Sequence, residues 1–219
     1  MNTSNLIQTI SIAALPILFA ITLHEAAHGY VARHFGDPTA ERAGRISLNP
    51  LRHIDPVGTI LLPIMTLALS GFLFGWAKPV PVNFNKLRNP KKDMLWVALA
   101  GPASNLFMAF CWAIVFKLAL ASSGSYFAEP MKLMAGFGIQ INLILIALNI
   151  LPLPPLDGGR IAVSLLPYRQ AAALSRIEPY GMFILIFMAV MSLGDGSTIL
   201  SRILMPIVSA LRQLINLIL

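Results

Sequence analysis

A chain of 219 residues that is 57% apolar and only 11% charged, with a mean hydropathy of +0.75, lies outside the range of water-soluble domains and is an integral membrane protein. The length holds four to six spanning helices with short loops, so one membrane unit over residues 1–219 is expected, its core at about 6–160 and further helices at about 178–219. The formal charge of +7 does not imply a nucleic-acid partner, because the 16 Lys and Arg fall mostly in short segments between apolar runs and report membrane topology instead.

The first span is expected at roughly Leu6 to Ala32. Residues Leu6 to Leu23 carry no charge, and His24-Glu25-Ala26-Ala27-His28 follows without a break. Three ionisable groups inside a span are expensive and call for a chemical role. Histidines four apart project from one helix face and can hold one zinc ion, while Glu25 can take a proton from a water on that metal. No cleavable signal is expected, since the amino-terminal segment lacks a basic flank and the motif begins where cleavage would fall.

Basic residues then cluster at Arg33, Arg42, Arg45 and Arg52, again at Lys78, Lys86, Arg88, Lys91 and Lys92, and more thinly at Arg160, Arg169 and Arg176. Positive-inside reasoning puts all three clusters in the cytoplasm and the amino terminus outside. The apolar segment Val57 to Gly75 lies between the first two clusters, so it is read as a re-entrant element broken near Pro63 and Gly71. A simple crossing is the alternative. Further spans are expected at Met94 to Ala121, Leu133 to Leu151 and Tyr180 to Leu193. The last apolar segment, Ile199 to Leu219, gathers Arg202, Ser209, Arg212, Gln213 and Asn216 on one stripe and either spans or lies in the interface.

A catalytic zinc normally takes three protein ligands, so the two histidines leave one to be found. Asp157 is the candidate, in Asn149-Ile-Leu-Pro-Leu-Pro-Pro-Leu-Asp157-Gly-Gly-Arg160. It reaches the depth of the histidines only if residues 36 to 92 start and finish on the cytoplasmic side, which independently favours the re-entrant reading of Val57 to Gly75. His34 and His53 stand beside polar loops and read as interfacial or solvated. Asn142 is either a helix contact or a group near the site. Arg160 reads as a topology anchor and Cys111 as a packing residue.

His24-Glu25-Ala26-Ala27-His28, Gly101-Pro102-Ala103-Ser104-Asn105, and Asn149 with Pro152, Pro154 and Leu156-Asp157-Gly158 resemble, in order, the motifs of the site-2 protease family of intramembrane zinc metalloproteases. The resemblance covers most of the chain and implies a minimal member without PDZ or CBS domains. It implies an all-α multi-pass fold of about five to six transmembrane or re-entrant helices, with a small β-strand element at the cytoplasmic face. Gly75 to Asn83 looks like that membrane-associated strand region. One zinc ion on His24, His28 and Asp157 is implied, with Glu25 as general base. The reaction implied is hydrolysis of a peptide bond within a transmembrane protein substrate.

The resemblance further implies that Asn149 helps place the substrate. Asn105 is either a group near the active site or a helix–helix hydrogen bond. Val80 and Val82 are expected on a strand that pairs with an unwound substrate, since Pro79 and Pro81 lack donors and leave alternate positions open. The expected location is a bacterial or archaeal plasma membrane, with transmembrane proteins and the bilayer as partners.

Overall fold

The structure, a computed structural model, describes residues 3–61, 65 and 78–219. Most of the expected element at Val57 to Gly75 lies outside the described residues, apart from one π-helical turn at Pro56–Leu61. Four described helices are long and apolar enough to cross a membrane: α1 (Thr3–His34), α3 (Pro90–Ala121), α4 (Ala128–Asn149) and α8 (Ile199–Asn216). Between them lie the short helices α2 (Thr39–Arg42), α5 (Asp157–Leu165), α6 (Tyr168–Ser175) and α7 (Glu178–Val190).

The helix starts follow from local chemistry. Pro90 opens α3 at a position where a missing N–H costs nothing, and Asp93 in the first turn accepts the backbone N–H of Asn89 at 2.7 Å. Thr198 and Ser201 close a reciprocal capping box at the head of α8. Glycines then set how closely the spans approach. A Cβ at Gly138 would fall 2.5 Å from the Trp112 ring, so α4 meets α3 there only because the side chain is missing.

Hydrogen bonds fix the directions of the spans. Along α1 from Ala20 to His28, the facing residues of α3 run backwards from Asn105 to Val97, so the two are antiparallel. Asn105 faces Asn142 and Trp112 faces Gly138, which makes α3 and α4 antiparallel as well. Arg212 of α8 reaches Gln140 of α4, and Lys117 near the end of α3 donates to the Ile218 carbonyl at 2.9 Å. The last helix therefore runs parallel to α3. The buried apolar core joins α3, α4, α7 and α8 through Trp112, Ile139, Leu143, Leu185, Leu204 and Val208.

The expected span at Tyr180 to Leu193 falls on α7, whose 13 residues make about 20 Å of helix and which counts as a fifth crossing when taken together with α6, across a 60° bend that precedes Tyr180. Two expectations differ from the structure. The small strand element is not formed among the described residues, where the one β-bridge joins Ser192 to Thr198. Residues 78–83 run extended, but all their donors except the Val82 N–H are already spent or missing. Pro79 and Pro81 have none, Lys78 N–H goes to the His53 carbonyl, Val80 N–H to Glu25 and Asn83 N–H to Asp37. His53 is likewise buried rather than solvated, its Nε2 held by the Ser47 carbonyl at 2.9 Å.

Candidate active site

Four elements meet around the first histidine pair. His24 and His28 stand one turn apart on α1, and α3 crosses directly against them at Gly101. A Cβ there would lie 2.5 Å from both imidazoles, so the glycine is what lets the two helices close on the site. The third element is the turn after α4. Its Pro154-Pro155 peptide is cis, and Gly158 and Gly159 press so tightly on residues 150–154 that added Cβ atoms would fall within 2.3 Å of backbone. That packing delivers Asp157, in the first turn of α5, to the same depth as the histidines. The fourth element is the extended segment at 78–83, which closes over Glu25.

The donor geometry is specific. Nδ1 of His28 lies 2.7 Å from the Val97 carbonyl and Nδ1 of His24 lies 2.6 Å from Oδ1 of Asn105. Both partners accept, so both Nδ1 atoms carry the proton and both Nε2 atoms present lone pairs inward. Those Nε2 atoms are 3.1 Å apart, and they stand 3.2 and 3.4 Å from the Asp157 carboxylate oxygens. Oδ2 of Asp157 is buried without a hydrogen-bond partner and lies 3.2 Å from Nε2 of His24.

Three electron-rich atoms held this close repel one another unless a cation lies between them. A tetrahedral zinc with bonds of about 2.0–2.1 Å separates its ligand atoms by roughly 3.3–3.4 Å. The spacing observed across the His24–His28–Asp157 group fits that requirement.

A cleft of about 470 Å³ opens beside this group. Glu25, Val80, Val82 and Asn149 all line it, together with Ile21 and Leu145. The Asn149 carboxamide donates to the Leu145 carbonyl at 3.0 Å, which leaves its oxygen free to accept. Asn105 is not in the cleft. It is fully buried behind His24, and its carboxamide is spent on protein partners.

Two contributors were not singled out from the sequence. The Val97 carbonyl has no sequence signature, being a backbone group. Arg160 was read as an anchor, yet it lines the cleft, stacks on Phe84 and pairs with Glu178 at 3.1 Å. Its place three residues after Asp157, on the same face of α5, was the available signal.

A largely buried two-histidine, one-carboxylate group with a glutamate held beside it by the Val80 N–H, set in a bundle of membrane-spanning helices, defines a membrane metallopeptidase site. Residues 119–192 match Peptidase family M50. The "Putative zinc metalloprotease YwhC" of Bacillus subtilis is 38% identical over 209 residues, covering 91% of this chain and 86% of that protein. The "Putative zinc metalloprotease Rip2" of Mycolicibacterium smegmatis is 32% identical over 179 residues, or 79% of this chain and 64% of that one. The "Putative zinc metalloprotease MJ0611" of Methanocaldococcus jannaschii is 30% identical over 160 residues, 73% and 72% of the two chains. No solved structure matches. The chain belongs to peptidase family M50, the site-2 protease type of zinc metalloprotease.

Proposed function

We propose that residues 1–219 form one intramembrane unit that hydrolyses a peptide bond in or near the transmembrane segment of a membrane-protein substrate. The observation that carries this reading is the convergence of His24, His28 and Asp157 at the wall of a cleft within the spanning helices. These three residues hold the zinc, and when bound there it supplies Lewis-acid activation of water and of the scissile carbonyl. His24 lies ten residues before the end of α1, about 15 Å along the helix, and that end leads into the basic loops. Positive-inside reasoning makes this the cytoplasmic side, so water reaches the cleft from there, in the plasma membrane of a prokaryote.

Glu25 is the general base. Its carboxylate stands at the cleft one residue from a ligand, where it takes the proton of the attacking water and returns it to the departing amine. In the structure one carboxylate oxygen accepts the Val80 N–H at 2.7 Å, which fixes its direction. The substrate must unwind locally to expose a carbonyl, and Val82 offers an N–H that has no partner among the described residues. Extended pairing with residues 80–82, with the Asn149 oxygen receiving a second substrate amide, satisfies the unwound backbone.

The test is Glu25→Gln in the purified full chain, assayed on single-span membrane proteins and for bound zinc. Cleavage is expected to fall by at least about a hundredfold while zinc remains at one per chain. Cleavage at the wild-type rate would overturn the assignment.

A further inference from the structure

Behind His24 lies a line of buried amides that the catalytic reading does not use. Asn105 and Asn142 are both fully buried, in α3 and α4, at the centre of the helix bundle. Two polar side chains at this depth, each carrying donors and acceptors, remain there only if every partner is correct. Their hydrogen bonds form a chain in which each orientation forces the next.

The chain starts at a backbone carbonyl. Gly138 O can only accept, and Nδ2 of Asn142 donates to it at 2.8 Å, one turn back along α4. The Asn142 carboxamide is thereby oriented with its oxygen toward α3. That oxygen receives Nδ2 of Asn105 at 2.9 Å, and the same Nδ2 also reaches the Ala20 carbonyl at 3.2 Å. Both donors of Asn105 are thus placed, and only its oxygen is left to face Nδ1 of His24 at 2.6 Å. An oxygen there requires a proton on Nδ1, which leaves the Nε2 lone pair directed at the ligand group. A flipped Asn105 would set an N–H against that nitrogen and favour the tautomer that cannot bind metal.

We propose that Asn142 is a positioning residue for the metal centre, acting through Asn105 to hold His24 in the metal-binding tautomer. The inference rests on the reading of His24, His28 and Asp157 as zinc ligands. It assigns a specific job to a residue that lies ten positions before Pro152, outside the motifs, and does not line the cleft. His28 needs no such relay, because its Nδ1 partner is a backbone carbonyl that cannot flip.

The experiment measures zinc affinity of the full chain in detergent by competition with a chelator, and records the visible spectrum after cobalt substitution. Asn142→Leu keeps the branching at Cγ and removes the orienting oxygen, so zinc affinity is expected to fall roughly tenfold with a shifted cobalt spectrum. Asn142→Asp, as the neutral acid, donates its O–H to Gly138 O and accepts from Asn105. It is expected to bind zinc within about twofold of the wild type, since the same two bonds are kept. Asn142→Ala serves if the leucine variant does not fold. Wild-type affinity in the leucine or alanine variant, or equal loss in the aspartate and leucine variants, would overturn the relay. Asp157→Ala run alongside separates the two readings: if it keeps zinc, the ligand assignment fails, and if it loses zinc while Asn142→Leu keeps it, only the relay fails.

Discussion

Single side chains decide whether this site closes. Gly101 is the sharpest case, since glycine inside a helix normally costs about 1 kcal/mol relative to alanine. Gly101→Ala should gain that amount on propensity alone, but its Cβ would meet both imidazoles at 2.5 Å. The expected outcome is a drop in zinc affinity of more than about tenfold, read by chelator competition, and unchanged affinity would contradict the close approach of α3. Asp37, outside the spans, gives a pH-dependent case. Burial opposes its charge, but hydrogen bonds from the Thr39 hydroxyl and from the N–H groups of Asn83 and Thr39 outweigh it, holding the carboxyl below the ordinary 3.8. A depressed value in the folded state contributes stability above the unfolded value and loses it as pH falls through the folded one. The stability advantage of the wild type over Asp37→Asn is therefore expected to be constant from neutrality down to about pH 4 and to shrink below it, as read by thermal unfolding. The candidate ligands were legible because histidines at i and i+4 share a helix face. The roles of Gly101 and Asn142 were not, because they depend on which helix faces which across the bundle.

Among the elements, the extended segment at 78–83 links the loops to the chemistry. It is pinned from both ends, by His53 and Arg45 at Lys78, by Glu25 at Val80 and by Asp37 at Asn83. Its extended path was readable from alternating prolines, whereas the side-chain carboxylates that replace a strand neighbour lie about 40–60 residues away in sequence and left no local trace. Val82 N–H is unpartnered among the described residues, so Val82→Pro sacrifices no bond of the folded protein. It is expected to lower kcat/KM for membrane substrates about tenfold while leaving zinc at one per chain, and an unchanged kcat/KM would remove this segment from substrate binding. The apolar run at 180–193 was legible, whereas the 60° bend that joins α7 to α6 ahead of it was not, because hydropathy is blind to direction. A Cβ at Gly181 would fall 1.7 Å from the Pro154 carbonyl, so the start of α7 is wedged against the turn that carries Asp157.

At the scale of the whole molecule, the antiparallel run of α1, α3 and α4, with α8 parallel to α3, places the 122–127 loop and the carboxy-terminal end of α8 on one side and the basic segments on the other. After replacement of Cys111, a single cysteine at Ser123 is expected to react with an impermeant thiol reagent in intact cells, and one at Asn85 only after permeabilisation; the reverse pattern would invert the proposed orientation. The same architecture makes zinc binding the meeting point of three separate segments, residues 24–28, 101–105 and 157. Zinc K-edge absorption of the purified chain tests that meeting most directly. One zinc per chain with two imidazole nitrogens and a carboxylate oxygen at about 2.0–2.2 Å is the predicted result. Sulfur in the first coordination sphere, a single imidazole, or a spectrum unchanged by Asp157→Ala would contradict it.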